Sequence, residues 1–246
     1  MGTVIVVTSG KGGTGKTSLT GGVASCLAAL NRRTLCMDMD IGLRNLDISL
    51  GMTDRALMDF TDVMAGRCAL ERAAVEHPVI QGLYLLTAPV RPPAEGLEPE
   101  RMQALLQRAR EQFDYILVDS PAGLGSGFRL AVSGADRGIV VSTNDASALR
   151  DAQRTVVELD RELETIHLVM NRIQPKLMRR LHATIDDAMD AAGLPLLGVV
   201  PEDPKVILAA NSGEPLILFS RRGAALAYLN IAKRLMGERI PLMKIH

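Results

Sequence analysis

Short unbroken apolar runs alternate along this chain with longer stretches of helical periodicity. The runs at 3–8, 34–38, 83–87, 115–119, 138–142, 166–170 and 196–200 are mostly continuous rather than alternating. A strand reads this way when it lies in a parallel sheet with helices on both faces. Helices are predicted over 16–30, 99–112, 147–164, 178–192 and 220–236. In the last, Ala224, Ala227, Tyr228, Ile231 and Leu235 share one face and dock it on the sheet. Repetition of strand–helix–strand predicts an α/β fold, a doubly wound and mostly parallel sheet flanked by helices on both faces. Its ligand site is expected at the carboxyl ends of the strands.

The phosphate loop is the feature that most narrows the chemistry. Gly10-Lys11-Gly12-Gly13-Thr14-Gly15-Lys16-Thr17 satisfies G-x-x-x-x-G-K-[ST]. It follows a predicted strand and opens a predicted helix, as the motif requires. The glycines let several N–H groups face one anion, and the helix adds the positive end of its dipole. Lys16 is expected to reach the β- and γ-phosphates, and the Thr17 hydroxyl to ligate Mg²⁺. Lys11 is a second lysine in the same loop. It is either a solvated charge or a cation offered to phosphates on a second subunit, as an arginine finger is.

Carboxylates stand at the predicted strand ends. Asp119 closes an apolar strand as the Walker-B acid that holds Mg²⁺, unless it merely caps the next turn. The Gly123 amide, just beyond it, is placed to sense a γ-phosphate. Asp38 and Asp40 share a side if their strand continues. That suggests a metal-site role for Asp38 and activation of the attacking water for Asp40; the alternative is a pair of turn formers. Asn171, with an amide able to pair with a purine edge, and Pro201, Glu202 and Asp203 follow two further strands, where a base would lie.

Composition adds mainly exclusions. The chain has 246 residues with 28 Lys+Arg and 28 Asp+Glu, a size for one domain and a balance that disfavours a generic basic nucleic-acid binder. Residues 171–246 hold 11 Lys+Arg against 7 Asp+Glu, read as a solvated face or a surface for an acidic partner or anionic lipid. Trp is absent and aromatics are 3%, so stacking on exposed bases has little support. Cys26, Cys36 and Cys68 form no C-x-x-C pair, which fits a reducing compartment.

The stretch from Ser9 to Thr17 resembles the deviant Walker A loop of the MinD/ParA ATPases. The segments 38–47, 119–123, 150–151, 201–203 and 211–215 are similar to the septum-site-determining branch of that family. The resemblance runs to about Leu235, so residues 1–236 are expected to form one ATPase domain and 237–246 a short tail. It implies an ATP- and Mg²⁺-dependent switch that forms a face-to-face homodimer and hydrolyses ATP. Lys11 would then touch the partner's nucleotide, and Lys11, Lys16 and Asp40 would be the catalytic groups. Gly12, Gly13, Thr14, Gly15, Thr17, Ser18 and Gly123 would line the nucleotide, with Asn171 and Pro201–Asp203 beside the adenine. Thr17, Asp38 and Asp119 would serve the metal.

The resemblance further implies a MinC-like division inhibitor and a MinE-like activator or polar partner. It places the protein in the cytoplasm, reversibly bound at the inner face of the cell membrane, with no nucleic acid expected. Thr14, Ser18 and Asn144-Asp145-Ala146 depart from the family pattern. Where the family continues into a basic amphipathic helix, Pro241 interrupts the tail. Ile240, Leu242, Met243 and Ile245 with Arg239 and Lys244 are expected to give weak binding to anionic lipid, or else to pack back on the domain. A ParA-type DNA-partitioning ATPase is the nearest alternative, and a non-hydrolysing nucleotide-holding scaffold a more distant one.

Overall fold

The structure, a computed structural model, describes residues 1–93 and 96–243. Its strands are β1 (Thr3–Thr8), β2 (Thr34–Asp38), β3 (Val75–Glu76), β4 (Leu83–Leu86), β5 (Tyr115–Asp119), β6 (Arg137–Ser142), β7 (Thr165–Ile173) and β8 (Leu196–Pro201). They form one sheet in the order β3-β4-β2-β5-β1-β6-β7-β8. Every pairing is parallel except that of the edge strand β3 with β4. The helices are α1 (Lys16–Ala29), α2 (Leu46–Ser49), α3 (Phe60–Met64), α4 (Leu70–Ala73), α5 (Pro99–Gln112) and α6 (Ser126–Val132). They continue as α7 (Ala146–Leu159), α8 (Pro175–Leu181), α9 (Ile185–Ala192), α10 (Lys205–Asn211), α11 (Leu216–Phe219) and α12 (Ala224–Leu235).

The unbroken run in β1 is explained by its two neighbouring layers. Val4 and Val6 enter one core with Met102, Leu105 and Ala109 of α5 and Ala152 and Val156 of α7. Ile5 and Val7 enter the other with Leu19, Val23 and Leu27 of α1 and Tyr228, Ile231 and Leu235 of α12. Alternate side chains point to opposite faces, so a strand covered on both sides must be apolar at every position. Each such side chain contributes about 1.5–3 kcal/mol on full burial. Helix α1 is itself buried nearly all round. A Cβ at Gly22 would lie 2.2 Å from the Tyr228 ring, so glycine sets the close approach of α1 and α12.

The expected helix 178–192 is two helices. His182 adopts a left-handed conformation with φ 49° after α8. Thr184 and Asp187 then form a capping box that starts α9, a reciprocal arrangement that favours a new N-terminus over continuation. Helix α12 begins at Ala224 rather than 220, because Asp203 Oδ2 accepts the Ala224 amide 3.0 Å away. Helix α7 stops at Leu159 rather than 164, and a short connection over 160–164 leads into β7 at Thr165. Helices α2, α3, α4, α6, α10 and α11 are four to seven residues long, too short to display a helical period.

The tail packs back as far as it is described. Arg234 donates to the carbonyls of Ile240 and Pro241 at 3.1 and 2.8 Å, and Met243 is partly buried against the α1/α12 core. Lys244 and Ile245 lie outside the described residues. No helix among the described residues is long and apolar enough to cross a membrane.

Candidate functional site

The carboxyl ends of β1, β2 and β5 converge, with Val7 and Asp38 both in register with Asp119. The loop after β1 turns through Gly13 and Gly15 at φ 82° and 80°, left-handed values that cost glycine nothing. A Cβ on Gly15 would also meet Asn171 Nδ2 at 2.4 Å. No side chain caps the N-terminus of α1, so its free N–H groups and dipole face outward toward an anion. The result is a cleft of about 460 Å³ lined by the loop from Gly12 to Ser18, by Asp40 and by Leu43 and Ile48.

Lys16 lines this cleft and pairs with Asp119 at 2.8 Å, both side chains nearly fully buried. Asp119 also accepts hydrogen bonds from Thr17 Oγ1 at 2.7 Å and Thr20 Oγ1 at 3.2 Å. The donor set of a Walker site is therefore assembled, with the Lys16 ammonium as the cation beside the carboxylate. Thr17 and Asp119 offer adjacent hard oxygens, which suit Mg²⁺ completed by phosphate oxygens and water. No cluster of three or more acidic, His or Cys ligands occurs among the described residues, so any metal here depends on the nucleotide for the rest of its shell.

The two acids after β2 differ from expectation. The strand ends at Asp38, so Asp38 and Asp40 do not share a strand face. Instead Asp38 accepts the amides of Asp40 at 2.8 Å and Leu46 at 3.1 Å, shaping the turn that carries Asp40 into the cleft. Burial pushes the Asp38 carboxyl up to about 6, with the Asp119 charge adding to the rise and the two amides opposing it. Asp40 is half-buried and lines the cleft. Burial raises its carboxyl, nearby Lys16 counters this, and the Asp119 charge adds to the rise.

Lys11 does not line its own subunit's phosphate cleft. Its ammonium is held by Asp145 Oδ1 at 2.8 Å and Ser147 Oγ at 2.9 Å. Asp145 is the N-cap of α7. Burial works against its charge, but hydrogen bonds from Lys11, Thr143, Ser147 and the Ala148 amide hold the carboxyl well below the usual range. In the sequence Asp145 stands just before the helix predicted from 147, where an Asp is an N-cap signal. Thr14, another of the departures, is 2% exposed and its hydroxyl has no partner among the described residues, so it packs as a valine would.

A second cleft, about 170 Å³, adjoins the first and shares Gly15 and Ser18 with it. Asn171, Pro201, Glu202 and Asp203 all line it, under Tyr228. Their polar groups are partly committed. Asn171 Nδ2 donates to the carbonyls of Thr14 at 2.8 Å and Gly15 at 3.4 Å. Glu202 is held by Arg172, and Asp203 caps α10 and α12 through the Lys205 and Ala224 amides. Pairing of Asn171 with a base in both directions is thus not available in this state, because its amide nitrogen braces the loop. Gly123 lies in the turn after β5 at φ 86°. Arg172 was not foreseen; only its place beside Asn171 hinted at it.

Residues 5–216 match the family model described as CobQ/CobB/MinD/ParA nucleotide binding domain. The septum site-determining protein MinD of Bacillus subtilis is 42% identical over 246 residues, which cover 98% of this chain and 92% of that protein. A MinC:MinD cell division protein complex from Aquifex aeolicus aligns with a TM-score of 0.90 at 38% identity over 98% of both chains. MinD of Pyrococcus horikoshii, complexed with Mg-ADP, aligns with a TM-score of 0.80 at 28% identity over 96% of both chains.

Proposed function

The chain belongs to the MinD/ParA family of nucleotide-binding proteins, and on that premise we propose that it is a dimerising ATPase switch of bacterial division-site selection. The observation that carries the reading is the division of labour between two lysines of one loop. Lys16 is buried in its own phosphate cleft, whereas Lys11 is turned out of it.

In this mechanism the loop amides and the α1 N-terminus receive the β- and γ-phosphates, and Lys16 leaves Asp119 to pair with them. Asp119 and Thr17 would hold Mg²⁺, which when bound neutralises charge on the β- and γ-oxygens. Asp38 positions the turn that presents Asp40, and Asp40 orients the attacking water. Lys11 leaves Asp145 and Ser147 and reaches the nucleotide of the facing subunit, so that hydrolysis requires the dimer. Gly123, in the turn after Asp119, reports loss of the γ-phosphate. The base enters the second cleft beside Asn171 and Pro201–Asp203.

A MinC:MinD complex exists in Aquifex aeolicus, and the ATP dimer of this chain recruits a MinC-like inhibitor on the same logic. A MinE-like activator or polar partner discharges it. The 1–236 domain carries the switch and the tail contributes weak attachment to anionic lipid at the inner membrane face, with two tails per dimer adding avidity.

Sedimentation with ATP, ADP and no nucleotide, alongside phosphate release, tests the switch. A dimer only with ATP, and turnover that rises with the square of protein concentration at high dilution, are expected. A monomer under all three conditions overturns the reading. Co-sedimentation with anionic vesicles should need ATP and should be lost on deletion of residues 239–246, with hydrolysis in solution unchanged.

A further inference from the structure

The phosphate loop is braced from behind by two consecutive residues of β7, although consecutive residues of a strand point to opposite faces. The exception has a visible cause. Met170 pairs with Val199 and Ile173 with Pro201, so three steps along β7 match two along β8. The extra residue is a bulge, which re-aims side chains. Within it Arg172 takes φ 57°, a left-handed conformation that is costly for a side chain of this size. The outcome is that Asn171 and Arg172 both reach the loop. Arg172 Nη1 donates to the Gly13 carbonyl at 3.0 Å, and Asn171 Nδ2 to the Thr14 carbonyl at 2.8 Å.

These two bonds act on the anion site through peptide geometry. In a planar trans peptide the C=O of one residue and the N–H of the next point in opposite directions. Pulling the Gly13 and Thr14 carbonyls toward β7 therefore aims the Thr14 and Gly15 N–H groups away from it, toward the cleft. Neither amide donates a hydrogen bond among the described residues. The guanidinium is in turn held by Glu202, with Nε–Oε2 2.8 Å and Nη2–Oε1 3.4 Å. This is a fork arrangement that fixes orientation as well as charge.

We infer that Arg172 is a positioning residue of the phosphate site, oriented by Glu202, and that this pair keeps the loop amides aimed at the nucleotide phosphates. The inference deepens the ATPase reading and rests on it. It also ties the two clefts together, because Glu202 lines the second and Gly13 the first.

The sign of one mutational effect separates this from simple electrostatics. Glu202 is an acid near an anion site, so its removal should tighten nucleotide binding if charge alone matters. If it orients the brace, Glu202→Ala should weaken binding instead. Calorimetric titration with ADP and with ATP is expected to show Arg172→Ala about tenfold weaker for both nucleotides, the size of one charge-assisted hydrogen bond. Glu202→Ala should be weaker by a smaller factor, and the double variant no weaker than Arg172→Ala alone. Arg172→Gly, which keeps the positive φ without strain, should match Arg172→Ala, and Arg172→Lys should recover part of the loss. Melting of the nucleotide-free variants checks that the fold is retained. A wild-type chain that binds no nucleotide overturns the ATPase reading and this inference with it. Normal wild-type binding, with Glu202→Ala as tight as wild type or tighter, overturns the brace alone.

Discussion

Two lysine–aspartate pairs flank the phosphate loop at the same N–O separation of 2.8 Å, and they differ in nearly everything else. Lys16–Asp119 has side chains 8% and 0% exposed, whereas Lys11–Asp145 has 35% and 49%. Coulomb attraction in the first is little screened, and neither charge can be left there alone. The second lies in solvent, where such a pair contributes little and exchanges easily. The buried lysine can leave its acid only when phosphate and metal take over both charges. The exposed lysine can leave for a second subunit at small cost. A switch needs both: a site that stays assembled, and a contact that is readily given up.

The largest effect should come from breaking the buried pair. Lys16→Ala removes the main cation for the β/γ-phosphates and leaves Asp119 buried without a counter-charge. We expect no tight ATP binding by calorimetry, and a loss of stability on the order of 3–5 kcal/mol in denaturant titrations. Wild-type affinity would sink the assignment. Next, Asp40→Ala should keep the ATP dimer while slowing phosphate release by about 10²–10⁴, the range of general-base removal. Sedimentation and single-turnover assays together check this.

The exposed pair should respond differently. Lys11→Ala should change stability by less than ~1 kcal/mol, and still bind nucleotide, yet remain monomeric with ATP. A wild-type dimer fraction would break the contrast between the lysines. The pH dependence sharpens it. Asp145 has a depressed folded-state pKa, so its contribution is present above the unfolded value of about 3.9 and lost as pH falls through the folded value. The stability difference between wild type and Asp145→Ala should therefore be flat from neutral pH to about 4 and close only below it. The smallest effect concerns Thr14, whose buried hydroxyl is unpartnered. Thr14→Val should stabilise the nucleotide-free protein by about 1 kcal/mol, read as a higher melting temperature.

Much of this was legible in the sequence because it is local. Continuous apolar runs place residues on both faces of a sheet whatever lies above them, so the long parallel strands were found within a residue of their observed bounds, except that β7 runs on through Asn171 to Ile173. The glycine pattern before Lys16 constrains its own backbone, so the phosphate loop needed no tertiary context. The two-residue β3 and the shortest helices carry too few residues to show a period. They exist because the surrounding chain packs them.

What only the tertiary structure decided is how side chains distant in sequence divide among partners. Lys11 and Lys16 are both loop lysines in the sequence. Burial against Asp119 and solvent beside Asp145 set them apart, and those acids lie more than a hundred residues away. Asp38 was legible as an acid at a strand end, but its work in shaping the turn depends on where the amides of Asp40 and Leu46 fall. The bulge that turns Arg172 toward Gly13 is a difference in register between β7 and β8, a relation between two strands that neither strand's sequence contains.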